Sequence, residues 1–213
     1  MKSFLLLALL LTAAPAAAQS TLPAEDWLKS GQAKEDKNDD AGALADDERA
    51  LRLLPGSAEA HFRRGRVLAR QNQLNAALAA LGRALELDPK FHSAYGGRAL
   101  AFEHQREFQK AIADYTREIE LAPLEEAGYN NRASARESAG DPEGALADYG
   151  KAIELAPHFA FLYGNRGGVL LLLGRDEEAR RDFEQCLHIN PSVRPWLEGR
   201  IKRIEQRRKG GRR

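Results

Sequence analysis

Between Pro142 and Pro157 the apolar residues Ala145, Leu146, Tyr149, Ala152 and Ile153 fall three or four positions apart. That spacing puts them on one face of a helix. Asp141 is placed to cap the free amides of the first turn, and Pro142 has the φ a first helical position needs. Pro157 ends the helix at or before the residue preceding it. A second helix precedes this one: "YNNRASARESAG" (129–140) stops at Gly140, and "YGNRGGVLLLLG" (163–174) stops at Gly174. A glycine just past a helix takes the left-handed conformation that closes it. The pattern therefore predicts a helical hairpin.

The hairpin recurs. Prolines stand at Pro55, Pro89, Pro123, Pro157 and Pro191, and small residues at Ala43, Ala77, Ala111, Ala145 and Ala179, each series with a period of 34. A fixed period of this length is the mark of a solenoid, in which each unit buries its apolar face on the next.

The period and the residues at fixed places resemble the tetratricopeptide repeat family. In 126–159 the resemblance is carried by Tyr129, Ala133, Ala145, Tyr149, Ala152 and Pro157. In 160–193 it rests on Tyr163, Gly167, Ala179, Phe183, Cys186 and Pro191, and in 92–125 on Tyr95, Ala99, Ala111, Tyr115, Glu118 and Pro123. The unit 58–91 has His61, Gly65, Ala77, Leu81, Ala84 and Pro89, and the most divergent, 24–57, has Trp27, Gly31, Ala43, Asp47, Ala50 and Pro55. The resemblance implies an all-α, right-handed superhelix of about five hairpins with a C-terminal capping helix over 194–208. Two departures carry expectations. Asp47 stands where an aromatic is usual, which predicts loose packing of the first unit. Glu118 replaces a small residue, so its carboxylate must reach water or a partner.

The resemblance also implies a non-enzymatic scaffold that holds a protein or peptide on its concave, first-helix surface. Matching positions give Glu59, Phe62, Arg63, Arg66 and Arg70 from the second unit, and Leu100, Glu103 and His104 from the third. The fourth gives Asn130, Asn131, Ser134 and Glu137, and the fifth Asn165, Leu171 and Leu172, with Phe161 and Gly168 beside them. Arg66 and Arg70 lie one turn apart, suited to a carboxylate. Asn130, Asn131 and Ser134 suit a peptide backbone. Some members of the family clamp a terminal carboxylate with lysines; the matching places here hold Leu28, Phe62, Gly96, Asn130 and Gly164, so that clamp is absent.

The start of the chain changes the picture. "MKSFLLLALLLTAAPAAAQS" has a basic residue, an eight-residue apolar run from Phe4 to Leu11, and small residues before Gln19. This predicts a signal peptide over 1–18, cleaved near Ala18, a short leader over 19–23, and a periplasmic or secreted scaffold of a bacterial cell envelope. The run is too short to span a bilayer, which takes about 20 residues, and no later segment is a candidate.

Charge is uneven. Residues 19–57 hold five Lys or Arg against nine Asp or Glu, and residues 192–213 hold nine against two. The basic end, with a flexible tail over 209–213, suggests contact with an anionic surface, and the opposed ends suggest self-association into an envelope assembly. Nucleic acid is not expected, since no basic stripe is interleaved with aromatics.

Chemistry that would make an enzyme is missing from the pattern. The histidines His61, His92, His104, His158 and His188 form no metal-ligand array, no cofactor motif occurs, and no nucleophile elbow is present. His61 matches an aromatic core position, and Cys186 sits where sister units carry Ala84 and Ala152, as a small core residue. Arg98 and Asp114, Arg132 and Asp148, and Arg166 and Asp182 are each 16 apart, which predicts a repeated ion pair within a hairpin or between units.

Overall fold

A computed structural model describes residues 23–210. The expected signal peptide and its cleavage site lie outside the described residues. The hairpins are α1 (Ala24–Glu35) with α2 (Asp40–Leu53), α3 (Ala58–Arg70) with α4 (Leu74–Leu87), and α5 (His92–His104) with α6 (Phe108–Leu121). They continue as α7 (Glu126–Ala139) with α8 (Pro142–Leu155) and α9 (Ala160–Leu172) with α10 (Asp176–Ile189). A 3-10 turn at Pro191–Val193 leads into α11 (Arg194–Gly210). Each first helix packs on its own second helix, and each second helix on the next first helix. The protein is an all-α, right-handed solenoid of five hairpins with a distinct capping helix. No described helix is long and apolar enough to cross a membrane.

The turns inside the hairpins share one backbone built from different residues. Asn38, Asn72, Arg106, Gly140 and Gly174 all have φ between 59° and 85°. The next residue's N–H then reaches back five positions: Asp39 to Lys34, Gln73 to Leu68, Glu107 to Phe102, Asp141 to Arg136 and Arg175 to Leu170, each at 2.9 Å. This closes the orphan carbonyls of the first helix. Glycine announces the turn in the last two units. Arg106 adopts it at a cost of roughly 1 kcal/mol, so the repeat geometry overrides local preference there. The second helices stop at Leu53, Leu87, Leu121, Leu155 and Ile189, two residues before the periodic prolines.

Those prolines also fasten one unit to the next. The hydroxyls of Tyr95, Tyr129 and Tyr163 donate to the carbonyls of Pro89, Pro123 and Pro157 at 3.4, 3.3 and 3.1 Å. His61 Nε2 makes the corresponding contact with Pro55 O at 3.0 Å. His61 thus does a tyrosine's work at the first seam, which explains an imidazole at an aromatic place.

Inside each hairpin a small residue faces a larger one. A Cβ built on Gly65 would stand 2.6 Å from Leu81 Cγ, and one on Gly167 2.6 Å from Phe183. Ala99 packs with Tyr115 and Ala133 with Tyr149. The repeated ion pairs lie within hairpins. Arg98 Nε donates to Asp114 Oδ2 at 2.7 Å, Arg132 Nε to Asp148 Oδ2 at 2.8 Å, and Arg166 Nε to Asp182 Oδ2 at 2.8 Å. Each guanidinium gives its carboxylate a second bond through Nη2, the two-pronged geometry that fixes orientation.

The first unit is not loose. Asp47 is fully buried, and a Cβ on Gly31 would stand 2.9 Å from its Oδ1, so carboxylate and glycine fit as leucine and glycine do one unit later. Arg63 Nε donates to Asp47 Oδ1 at 3.1 Å. A buried ion pair replaces the missing aromatic.

Glu118 is half-buried at the seam between α6 and α7. Its Oε2 is buried and has no hydrogen-bond partner among the described residues. Glycines make the room: Cβ atoms on Gly96 and Gly128 would stand 2.3 and 3.6 Å from Glu118 oxygens.

The capping helix runs to Gly210, two residues past its expected end. Leu197 and Ile204 are buried and Ile201 and Trp196 half-buried against the fifth unit. Cys186 is buried in the same cluster, beside Gly164.

Candidate functional site

Seven of the expected site residues share one concave groove of about 430 Å³: Leu100, Glu103 and His104 of α5, Asn130, Asn131 and Ser134 of α7, and Asn165 of α9. Tyr115 and Tyr149 reach its floor from the second helices, and Phe108 and Ser138 complete the lining. First helices stack side by side along the inner curve, so positions 34 or 35 apart meet across neighbouring units. That brings Asn165 Nδ2 within 3.3 Å of Asn130 Oδ1 and Asn130 Nδ2 within 3.1 Å of Asn131 Oδ1. The amides form a row across two units.

The floor is acidic. Tyr115 OH donates to Glu103 Oε2 at 2.7 Å. Burial holds the Glu103 carboxyl above its ordinary range, offset by the tyrosine bond. Burial likewise pushes both tyrosine hydroxyls up, so they stay protonated donors.

The groove ends at Arg200, a residue the repeat pattern did not flag. It comes from α11, and Nη2 donates to Glu137 Oε2 at 2.8 Å and to the Asn165 carbonyl at 3.4 Å. Glu137 is therefore engaged as a wall contact. The arginine stem lies on Gly168, where a Cβ would stand 2.4 Å from Nε. The bare glycine, together with the basic stripe of the capping helix, was the available signal.

The other candidates sit elsewhere. Phe62 is a core residue, tilted against Phe91 with ring centres 4.8 Å apart and packed with Leu81. Leu171 is buried with Ile204, Leu172 packs on the same cluster, and Phe161 meets Trp196 at 4.8 Å. The capping helix thus covers the fifth unit's inner face, which sequence reasoning left open. Glu59 is exposed on α3, away from the groove lining.

The arginine cluster is not free for an outside carboxylate. Arg63 meets Glu35 at 2.9 Å, Arg66 meets Glu35 at 2.9 Å, and Arg70 meets both Glu35 at 3.0 Å and Asp40 at 2.7 Å. Arg70 holds the Asp40 carboxyl below its ordinary range. Asp46, fully buried, takes Lys34 and Arg49 at 2.6 Å each and the Ser30 hydroxyl at 2.6 Å. Burial pushes the Asp47 carboxyl up to about 6 despite Arg63, with Glu35 and Asp46 adding to the rise. Four of the first unit's acids, Glu35, Asp40, Asp46 and Asp47, are therefore taken up in internal ion pairs. Among the described residues, no three His, Cys, Asp or Glu are grouped to hold a metal ion.

Stacked hairpins with a polar inner groove have the form of a helical-repeat protein–protein interaction scaffold. The tetratricopeptide repeat family model matches residues 28–90, 62–126 and 130–192, and the chain belongs to that family. No curated protein matches it. Among solved structures, a crystal structure of MamA is 25% identical, covers 78% of this chain and 96% of its own, and has a TM-score of 0.70. YrrB, described as a TPR protein with an unusual peptide-binding site, is 18% identical, with coverage of 84% and 92% and a TM-score of 0.68. TTC0263, a thermophilic TPR protein of Thermus thermophilus, is 18% identical, with coverage of 86% and 99% and a TM-score of 0.68.

The resemblance to the MamA structures overturns the periplasmic or secreted destination. That expectation rested on a short apolar run and a few alanines outside the described residues. Such a run is a signal of composition, and the matching folds do not support export.

Proposed function

We propose that the chain is an adaptor whose groove between α5, α7 and α9 holds an extended segment of a partner protein. The observation that supports this most is the amide row Asn165–Asn130–Asn131, with Ser134 one turn further along α7. Side-chain amides offer one donor and one acceptor at each step, which matches the alternating groups of an extended backbone. Leu100, about half exposed, adds an apolar contact at the α5 wall. Selection of a phage-displayed random dodecapeptide library on the full chain tests the reading. Binding clones should lose about tenfold in affinity when Asn130 and Asn131 are both changed to alanine. Clones that bind the double variant equally well, or no clones at all, overturn it.

One observation favours a second contact. Lys202, Arg203, Arg207 and Lys209 stand exposed on α11 without ion-pair partners among the described residues, whereas Arg200 and Arg208 are held by Glu137 and Asp176. The four fall within one side of the helix, opposite Leu197 and Ile204. This stripe suits an anionic surface. Co-sedimentation with phosphatidylserine vesicles that vanishes on changing all four to glutamine is the expected result; binding that survives the change refutes it.

A further inference from the structure

The seam between the third and fourth units carries a group that the repeat does not need. Sister units place Ala84, Ala152 and Cys186, all fully buried, where the third unit has Glu118. The carboxyl is wedged between α5 and α7, against Gly96 and Gly128, which lack the side chains that would otherwise fill the slot. The corresponding positions in neighbouring units are larger, Phe62 and Asn130 for Gly96 and Ala94 and Leu162 for Gly128. The cavity and the carboxyl are matched in size, yet Oε2 has no partner.

The groups around it leave that acid without a cation. On α5, Arg98 is held by Asp114, and Tyr95 directs its hydroxyl to Pro89. His92, at the start of α5, lies 3.7 Å from Glu125. On α6 itself, Arg117 pairs with Glu120, and Tyr115 is bonded to Glu103. At the start of α7 stand Glu125 and Glu126, both acidic, and further along it the Tyr129 hydroxyl donates to Pro123 O while Arg132 is held by Asp148 and by the Thr116 hydroxyl of α6.

We infer that Glu118 is a proton-controlled wedge that sets how α7 sits against α5, and so regulates the width of the groove those two helices wall. This rests on the groove reading above. Protonated, the carboxyl fits its slot as a small neutral group. Ionised, it has no cation to meet, and burial disfavours the charge. The residue is half-buried, and its Oε2 reaches water only as α7 moves off α5 and α6. Burial first, and the nearby Glu125 second, push this carboxyl up to about 7, so the change falls near neutral pH. The sign follows from the raised value. The folded state binds the proton more tightly than the unfolded chain, so the seam loses stability as pH rises from about 4.5 through about 7. Tyr115, one turn away on α6 and bonded to Glu103, links the seam to the groove floor.

The experiment uses nitroxide labels at Leu100→Cys and Ser134→Cys, one on each wall, in the full chain carrying Cys186→Ala. Their distance distribution is measured between pH 5.5 and 8.5. It should lengthen or broaden with a midpoint near 7, and Glu118→Gln should hold it at the low-pH form throughout. Glu118→Ala, which installs the residue of the sister units, covers the case in which the glutamine variant folds poorly. Its melting temperature should rise relative to the wild type as pH increases, a change of about 30-fold in the folding equilibrium across this range. A wild-type distance that does not move, or a movement that persists in both variants, overturns the wedge. The distances need no ligand. Labels that respond while the peptide library yields no clones would remove the groove reading and leave the wedge standing.

Discussion

Removal of Arg63 should test whether the first hairpin is held by charge. The guanidinium is buried and meets Glu35 Oε1 at 2.9 Å, Asp47 Oδ1 at 3.1 Å and Gln32 Oε1 at 2.5 Å. In Arg63→Ala, Glu35 retains Arg66 and Arg70, but Asp47 is left buried with no cation. Breaking a buried pair from one side costs about 3–5 kcal/mol. Asp47 has an escape, since its carboxyl already titrates at about 6 and would take a proton more readily once Arg63 is gone. The loss should therefore be about 3 kcal/mol at pH 8 and smaller at pH 5. The sign is that of a raised acid: the folded state holds the proton more tightly, so stability declines as pH rises through about 6.

A solenoid spreads stability unit by unit, so one global unfolding curve would blur the effect. Hydrogen exchange by mass spectrometry at pH 8 should show faster exchange in α1 and α2, with α7 to α10 unchanged. Adding Asp47→Asn should recover much of the loss, because the orphaned charge is then gone. Uniform exchange along all ten hairpin helices, or a deficit of equal size at pH 5 and pH 8, would refute the reasoning.

Three further outcomes follow from the packing. Asp148→Ala strips the acceptor from Arg132 and from Arg136, whose Nη1 lies 2.8 Å from Asp148 Oδ2, and should cost about 2–4 kcal/mol by denaturant titration; a change under about 1 kcal/mol would make the pair ornamental. Gly65→Ala puts a Cβ 2.6 Å from the buried Leu81 and should destabilise by about 1–3 kcal/mol; an unchanged melting temperature would show that the hairpin has slack. Asp141→Ala removes the cap that accepts from Gly144 N at 3.0 Å, and circular dichroism should report a loss of about 1 kcal/mol, most of it restored by asparagine.

The fold was legible because the same information is written five times. Prolines, small residues and aromatics at fixed spacing marked hairpin ends, close helix contacts and seams without reference to any one unit. The pair of Arg132 with Asp148 was visible for the same reason, and only its placement inside a hairpin needed coordinates. The groove was half legible. Asn130, Asn131 and Asn165 lie on inner helix faces that the repeat register alone identifies. Arg63, Arg66 and Arg70 share that register, but their partners Glu35 and Asp40 lie about 30 residues earlier, on helices that no local pattern ties to them. Leu171 and Leu172 disappeared under α11 for a related reason: the capping helix belongs to no repeat, so nothing in the period says which face it covers.

Asp47 and Glu118 show how the frame absorbs a polar residue at a buried place. In both, neighbouring glycine gives the space: Gly31 for Asp47, Gly96 and Gly128 for Glu118. Volume is thus conserved while chemistry changes, and helix spacing survives. What separates them is one cation. Arg63 stands 3.1 Å from Asp47 Oδ1, and the result is an ion pair inside the first seam, with Oδ2 left without a hydrogen bond among the described residues. Around Glu118 the arginines are already held by Asp114 and Glu120, and the nearest added charge is another carboxylate. A buried acid with a dedicated cation is a fixed joint. A half-buried acid without one gains by keeping its proton, so rising pH weakens both seams, the first through about 6 and the third through about 7, and only the third has no cation to meet the charge once it forms.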